Sequence, residues 1–519
     1  MHQLVTLAQA WFLTKNNKYS EEFFSQWNSW YESNPFCEGI HWTNTMEVAI
    51  RSVNIITAID LISSAPGWSK NKDIILNSLR QHGKFIEHNL ELGIENNKIS
   101  KGNHYLANIC GMAIIGISCK SFPESERWAK VGIGALEYEM NSMVTRDGFF
   151  FESSTGYHRL SLELFLFPFI ILEKSKQQFS AGYASKLEKM LDTVMALNTP
   201  GNTIPNIGDS DDGRLLILSN YKNWNRNDHR YLLGLCSILF NRSDYKYICS
   251  ECPEEIFWIF GEDGVRKFNE LDVNLDDEIY KNFDQAGLFI IQNRKENDYT
   301  LLTSGTSYPN APMAHRHNDS LSIELWLKAK PVVVDIGTYC YTGDIHERNY
   351  FRSTKSHNTI MIDSQEMNQI SDEPFSLTDN INCEVKVLKN DSNNIYLEFI
   401  RNDKRLTENS VIVKRNLFYD YNKAKLLILD DIVGTNSHSS NWFWNFHPDI
   451  KLNIIKKNDT AIFDFGFGRM KIKKPECNRF SYTITNGWYS QSYGIKQKSQ
   501  VLNVRCDWMD KISLTTEFR

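Results

Sequence analysis

The sequence has no long hydrophobic run. It contains no stretch of about 18 consecutive apolar residues, which a helix needs in order to cross a membrane. The segment Met1 to Lys15 also lacks the basic start, the long apolar core and the small-residue cleavage site of a signal peptide. The chain as written is therefore expected to have no membrane span and to be cytoplasmic. A periplasmic or secreted location is expected only if the N-terminus is truncated.

An excess of positive charge is also missing. The formal net charge is −6 over 519 residues, so the chain as a whole does not attract polyanions, and nucleic acid is not expected as a partner. A polyanionic substrate would need a local basic cleft. The 10 cysteines are scattered, and the single Cys249-Ser250-Glu251-Cys252 motif lacks the second pair that a zinc ribbon requires. Free buried thiols explain these cysteines more simply than a disulfide framework.

The spacing of the apolar residues changes once along the chain. As far as about residue 280 they recur at helical intervals, as in Leu4, Leu7 and Trp11 or in the predicted helix near 181–197, and pairs of such helices predict a helical toroid or solenoid. Beyond about residue 285, short apolar runs such as Lys425 to Leu429 and Trp442 to Phe446 are separated by Asn, Asp, Gly and Lys, which predicts antiparallel strands in a sandwich. We therefore expect an α+β multidomain protein with a helical domain over 1–282 and an antiparallel β-sandwich over 283–519.

A pair of histidines stands where the strand pattern becomes strongest. His315 and His317 precede the alternating segment Ser322 to Leu327, and residues two apart on a strand face the same side. Asp335 ends a later apolar strand, and His357 opens another. Two imidazoles and a carboxylate from neighbouring strands predict a metal site, which leaves the other histidine of the pair free for chemistry. The alternative is a pair of rim histidines that hydrogen-bond to loops.

The helical half contains two helix starts with polar side chains. Asn103 and His104 open an apolar helix, where free N–H groups and the helix dipole favour an anion. The alternative is that Asn103 only caps the helix. Tyr157 and His158 follow a turn-rich loop at the start of another helix. A tyrosine there is either half-buried packing, or a proton donor or base if neighbouring cations lower its pKa.

One acidic loop needs a separate interpretation. Pro205 to Arg214 is rich in Gly and Asp and looks like a calcium loop, but it lacks the glutamate that an EF-hand carries at the last position of its loop. We expect instead a structural loop that holds Arg214 near the cleft.

Taken together, these segments resemble the heparinase II/III-like polysaccharide lyases, which are relatives of certain alginate lyases. The resemblance covers nearly the whole chain and rests on Asn103-His104, Asp147-Gly148 with Glu152 and Tyr157-His158, Gly208 to Arg214, His315 to Asp319, Val334 to Tyr339, Ser356 to Thr359 and Gly487 to Gly494. It implies an incomplete (α/α) toroid joined to an antiparallel β-sandwich, with the active cleft between them. It also implies β-elimination on a uronate-containing polysaccharide (a glycosaminoglycan, alginate or bacterial surface polysaccharide), which leaves a 4,5-unsaturated uronate end.

The resemblance further implies roles for individual residues. Asn103, with His104, matches the position that contacts the uronate carboxylate. Tyr157 and His315 match the catalytic acid and base, and which of them is the base depends on the uronate epimer. The matches to the zinc positions, where the metal braces the sandwich beside the cleft, are His317, Asp335 and His357. The candidates for binding the substrate are Glu152, His158, Arg214, Arg348 and Arg352, although the last two, one helical turn apart, also fit a solvated helix face.

Two other functions stay open at this point. A glycoside hydrolase would use a pair of carboxylates among Glu47, Glu152, Asp209 and Asp211, but the histidines and the tyrosine would then have no role. A non-catalytic accessory protein of surface-polysaccharide metabolism would fit a chain that begins partway into the toroid. The lyase is the preferred hypothesis. Its expected cofactor is Zn²⁺, with no organic cofactor, its expected partner is an acidic polysaccharide, and a homodimer is left open.

Overall fold

The computed structural model describes residues 1–95, 98–219, 223, 225–274, 279–305, 308, 311, 313–403, 411–457 and 459–519. Its first part is helical. The helices are α1 (His2–Thr14), α2 (Asn17–Ser33), α3 (Thr45–Ile62), α4 (Trp68–His88), α5 (Asn103–Ser118), α6 (Ser125–Ser142), α7 (Thr155–Lys174), α8 (Ala181–Leu197), α9 (Arg230–Leu239), α10 (Ser243–Cys249) and α11 (Glu254–Glu270). A short hairpin of β1 (Gly93–Glu95) and β2 (Lys98–Ser100) precedes α5.

These helices form two layers. Helices α1, α3, α5 and α7 pack against one another in series, while α2, α4, α6 and α8 each pack outside the preceding odd-numbered helix. The inner helices α5 and α7 are buried along nearly their whole length, which explains why their sequences are apolar on all sides. This double layer confirms a helical first domain built from helix pairs. Its closure into an incomplete toroid stays a prediction.

Serine side chains fix the starts of two of these helices. Ser154 Oγ accepts a hydrogen bond from the backbone N–H of Tyr157 at 3.1 Å, and Ser180 Oγ accepts one from Tyr183 at 3.2 Å. Such caps satisfy backbone donors that have no partner within the helix. The cap on α7 places Tyr157 in the first turn, at the end of the helix that faces the second domain.

The second part of the chain consists of antiparallel strands and one short helix, α12 (Ile345–Phe351). A five-stranded sheet has the order β3-β4-β5-β6-β7. A ten-stranded sheet has the order β13-β14-β15-β17-β12-β11-β10-β9, with β16 paired to β17 and β8 paired to β12. The strands are β3 (Tyr280–Phe283), β4 (Leu288–Asn293), β5 (Asp298–Thr303), β6 (Ile323–Leu327), β7 (Lys330–Val333), β8 (Ile360–Ile362), β9 (Ile381–Asn390), β10 (Asn394–Asp403), β11 (Ile412–Asp420), β12 (Lys425–Asn445), β13 (Asn453–Lys457), β14 (Thr460–Asp464), β15 (Arg469–Lys473), β16 (Arg479–Ser492) and β17 (Ile495–Phe518).

The smaller sheet lies between the two hydrophobic cores. Alternate residues on β4 point to opposite faces, so that Phe289 and Ile291 join the core between the sheets, while Leu288 and Ile290 join the core of the helical domain. The predicted order of a helical domain and an antiparallel sandwich is therefore confirmed. The predicted domain division after residue 282 falls inside β3 and stays a prediction.

Two strand predictions were wrong. The predicted strands around residues 425–429 and 442–446 are parts of the single long strand β12, whose pairing with β17 shifts between Val433 and Ser437. The histidine pair does not lie on a strand either. His315 and His317 lie in the loop before β6, so the argument that strand geometry turns them to the same side does not apply.

Within the described residues, no helix combines the length and the hydropathy needed to cross a bilayer.

Candidate active site

The candidate site lies where the starts of α5 and α7 meet the loop that carries the histidine pair. Asn103 opens α5 and is held by Glu152, whose Oε1 accepts from the Asn103 backbone N–H at 3.0 Å and whose Oε2 accepts from Nδ2 at 2.9 Å. A Cβ on Gly102 would lie only 2.6 Å from Glu152 Oε1, so a larger residue there would displace this carboxylate. Within the described part of the chain, the buried Oδ1 of Asn103 has no hydrogen-bond partner.

Tyr157 and His315 form the centre of the site. Their rings stack with centroids 3.8 Å apart, and His315 Nε2 lies 3.5 Å from Asn103 Nδ2. The Tyr157 hydroxyl donates to Asp211 Oδ2 at 3.2 Å and lies 3.2 Å from the Tyr341 hydroxyl. Burial, followed by the negative charge of Asp211, raises the pKa of Tyr157 well above its ordinary value. The sequence analysis left open that neighbouring cations lower this pKa. The neighbour is a carboxylate instead, so the phenol stays protonated.

Asp209 connects this pair to the rest of the second domain. Its carboxylate is fully buried and accepts hydrogen bonds from His315 Nδ1 at 3.1 Å and from His317 Nε2 at 2.8 Å. Arg348 binds both of its oxygens, with Nη2 at 2.7 Å from Oδ2. Burial alone would raise the pKa of Asp209, but Arg348 and the two histidines hold it well below its usual range. The carboxylate is therefore charged, and the Nδ1–H bond to it directs the free Nε2 of His315 toward Asn103.

Three predicted metal ligands come together behind this carboxylate. His317, Asp335 and His357 each offer one ligand atom, and these atoms lie within 4.8 Å of one another. His357 Nδ1 donates to Asp335 Oδ2 at 2.8 Å, while in the described residues the buried Nδ1 of His317 and Nε2 of His357 have no partner. Burial lowers the pKa of His317, which favours the neutral imidazole that binds metals, whereas at His357 burial is outweighed by the negative charge of Asp335, which raises the pKa. The donor set therefore fits a metal ion.

The other polar residues predicted at the first helix starts have different surroundings. His104 is about half exposed, and its Nδ1 lies 2.9 Å from Glu91 Oε1. Burial alone would lower the pKa of His104, but the bond to Glu91 and the charges of Glu91, Glu152 and Asp211 raise it. His158 is buried, accepts from the Phe150 N–H at 3.2 Å, and has a pKa that burial lowers to about 4.

The three arginines predicted near the substrate are all buried. Arg214 donates to Glu163 Oε1 at 2.5 Å inside the helical domain, and Arg348 binds Asp209. Arg352 donates to backbone carbonyls, with the Ser371 oxygen at 2.7 Å and the Ser376 oxygen at 2.8 Å. These hydrogen bonds stabilise the protein around the site. Direct substrate binding by these arginines stays a prediction.

Sequence reasoning missed the aromatic wall of the site and the position of Asp209 at its centre. Tyr341 lies 5.1 Å from both Phe375 and Tyr493 between ring centroids. Phe375 lies 5.7 Å from the ring of His315. No spacing in the sequence indicates that these residues meet. The sequence indicated Asp209 only as a member of an acidic loop and as a candidate carboxylate of the rival hydrolase.

Comparisons with known proteins agree with this architecture. The family model for the heparinase II/III N-terminus matches residues 1–227, and the model for the heparinase II/III-like C-terminal region matches residues 276–513. A heparin-sulfate lyase from Bacteroides stercoris is 23% identical over an alignment 541 positions long, which covers 98% of this chain and 73% of that protein. A heparin-sulfate lyase from Pedobacter heparinus is 23% identical over 70% of this chain, and the match spans 50% of that protein's length.

A solved structure gives the same result for the fold. The crystal structure of a heparan sulfate lyase from Pedobacter heparinus superposes with a TM-score of 0.67 at 19% identity and covers 99% of this chain and 74% of that one. At this identity the likeness supports the fold alone. The two family models together span most of the sequence and match both domains in the same order. The chain belongs to the heparinase II/III-like family.

Proposed function

We propose that this protein is a polysaccharide lyase that cleaves a uronate-containing glycosaminoglycan by β-elimination. The observation that carries the proposal is the stacked Tyr157–His315 pair beside Asn103, where the starts of α5 and α7 meet the loop that precedes β6. Such a cluster offers a proton acceptor, a proton donor and an amide within one small space. The printed names of the relatives, heparin-sulfate lyases, support the same class of substrate.

The hydrogen bonds suggest how the two catalytic roles are divided. His315 donates from Nδ1 to Asp209, so its Nε2 is free to take the C5 proton of a uronate. The resulting electron pair forms the C4=C5 double bond as the C4–O4 bond breaks. The protonated hydroxyl of Tyr157 then donates its proton to the departing O4. Asn103 and His104 contact the uronate carboxylate, and the raised pKa of His104 favours the cation for this purpose. Proton exchange with solvent restores the pair.

The hydrogen bonds of two candidate carboxylates argue against the alternative function of a glycoside hydrolase. A hydrolase needs one carboxylic acid and one carboxylate facing the same bond. Glu152 binds the main chain and side chain of Asn103, and Asp209 is a buried carboxylate that Arg348 keeps charged. Glu152 therefore positions the asparagine and Asp209 positions the histidine, which does not favour the acid and carboxylate pair that hydrolysis requires.

The proposed activity is tested with a panel of uronate polymers, including heparan sulfate, heparin, chondroitin sulfate and alginate. We expect at least one glycosaminoglycan to give a rise in ultraviolet absorbance from the new C4=C5 double bond. New reducing ends without this absorbance would establish hydrolysis instead. If neither signal appears while the purified protein is folded and binds a polymer, the accessory function replaces the lyase.

We further propose that His317, Asp335 and His357 hold Zn²⁺. Two imidazoles and a carboxylate are a common ligand set for this metal, and the unpartnered nitrogens of both histidines are the ring atoms available to it. Bound there, the ion would brace the loops beside the cleft. Its connection to the catalytic pair would run through Asp209, since this carboxylate binds both His317 and His315.

Loss of a metal ligand is expected to lower both metal content and thermal stability. His357→Ala should reduce the metal content measured by elemental analysis from about one ion per chain to less than about a tenth, and should lower the unfolding temperature, because a metal bound only by the folded state stabilises it. His438→Ala is a matched control, since His438 is also buried and binds a carboxylate, Asp363, at 2.7 Å. Equal metal content in both variants would refute the zinc proposal.

A further inference from the structure

Two aromatic side chains beside the proposed catalytic pair are exposed to solvent. Phe375 is 43% exposed and Tyr493 is 37% exposed, although both contact the buried Tyr341. Phe375 also meets the ring of His315 edge-on at 5.7 Å. Covering exposed apolar surface with a ligand lowers the free energy, because the surface is removed from water. We call Phe375, Tyr341 and Tyr493 the aromatic platform.

Buried cations hold the loop that carries Phe375. The Arg348 and Arg352 guanidinium groups donate to four backbone carbonyls within six residues of this loop, namely those of Ser371, Glu373, Pro374 and Ser376. The Arg348 guanidinium also lies 5.8 Å from the Phe375 ring centre. A surface loop fixed by two buried arginines has little freedom to fold its phenylalanine inward. The ring is therefore held in place at the edge of the site.

The second exposed ring is fixed by contacts with both domains. The Tyr493 hydroxyl accepts from the Tyr341 N–H at 3.0 Å, and the Tyr493 N–H donates to Asp212 Oδ2 at 3.0 Å. Asp212 belongs to the helical domain, in the same loop as Asp209 and Asp211. Tyr493 is thus positioned by the same loop that positions the catalytic pair.

We propose that the aromatic platform is a stacking subsite for the apolar face of a pyranose ring, next to the sugar whose linkage is broken. The occupant is a sugar of the substrate chain, because the platform continues from the rings of His315 and Tyr341 into solvent. A pyranose presents axial C–H groups on one face, and aromatic faces carry partial negative charge that attracts them. This subsite binds the polymer by contact with uncharged surface. The inference rests on the proposed lyase function and deepens it.

The test compares the affinity for substrate in a variant that is expected to cleave it very slowly. Heparan sulfate hexasaccharides are titrated by calorimetry into Tyr157→Phe and into Tyr157→Phe carrying a second change. Phe375→Ala should weaken binding about tenfold, because roughly half of a phenylalanine surface is lost from the contact. Phe375→Trp should keep the affinity. Tyr247→Ala, which removes a ring that is 49% exposed on α10, is the matched control and should have no effect.

Kinetics and salt dependence separate stacking from other causes. In the active enzyme, Phe375→Ala should raise KM about tenfold with kcat within about twofold, because the contact is made equally before and during reaction. The KM ratio should stay constant as salt is raised, since stacking involves no ion pair. Unchanged KM and unchanged affinity would overturn the proposal. So would a dimer that Phe375→Ala converts to monomer in size-exclusion chromatography, because a second copy would then be the occupant.

The two proposals fail in different ways. Suppose that the wild-type protein releases no unsaturated product from heparan sulfate, while Phe375→Ala still weakens the binding of this polymer. Elimination on heparan sulfate is then refuted, and the aromatic platform is supported. If elimination occurs and Phe375→Ala behaves as the wild type, the platform is refuted and the lyase stands.

Discussion

Tyr157→Phe is expected to reduce kcat by about 10²–10⁴-fold, the range that general acid–base catalysis contributes. The change removes only the hydroxyl that binds Asp211 and faces Tyr341, and it keeps the ring that stacks on His315. The fold should therefore be preserved. His315→Ala should have an effect of similar size, because it removes the proposed base. The measurement is the rate of double-bond formation at saturating polymer, with circular dichroism to check the fold.

Two comparisons make this result specific. Tyr183→Phe removes another buried hydroxyl, which donates to the Phe165 carbonyl at 2.8 Å away from the site, and it should keep full activity. The double variant of Tyr157 and His315 should be little worse than either single variant, since residues that act as one catalytic unit are not additive. Normal turnover in both single variants would show that the pair is not the acid and base.

Asp209→Asn is expected to destabilise the protein by about 3–5 kcal/mol and to reduce kcat of the remaining folded protein. Removing one partner of a buried ion pair leaves the other charge uncompensated, and here Arg348 is the residue that loses its counter-charge. His315 and His317 lose a charged acceptor at the same time. Urea unfolding gives the change in the free energy of unfolding, and initial rates well below the unfolding midpoint give kcat.

The sandwich provides a matched control for this variant. Asp430 is also fully buried, and its two oxygens accept from Arg415 Nε at 2.6 Å and Nη2 at 2.8 Å. Asp430→Asn should therefore lower the free energy of unfolding by a comparable amount while leaving kcat unchanged. If the two variants lose stability equally and both keep full kcat, Asp209 has only a structural role.

The sequence predicted the helical domain well because its signals are local. Helix starts depend on a serine or asparagine a few residues away, and the predicted helix over 181–197 matches α8. β12 was divided in two because its middle, around Thr435 to Ser437, is polar and exposed and looks like a turn. The strand continues there because β17 pairs with it on both sides of a bulge. Pairing with a distant strand leaves no local signal.

The candidate site shows the same limit. The motifs predicted that Asn103, Tyr157 and His315 lie together, and the structure places them together, but strand geometry was the wrong reason for expecting the histidines to converge. They converge because Asp209, 106 residues before His315 in the chain, binds both rings. The arginines were expected at the substrate because a buried cation cannot be recognised from its sequence neighbours. Their burial depends on carboxylates and carbonyls that only the folded chain brings near.

The position of Asp209 has a consequence for how activity arises during folding. Asp209 and Tyr157 belong to the helical domain, and His315 and Arg348 belong to the sandwich, so neither domain holds both members of the proposed proton-transfer pair. We expect activity to appear only when the domains dock, because docking brings the buried carboxylate of Asp209 to Arg348. The active site is thus expected to be completed late in folding, when the helical domain and the sandwich dock.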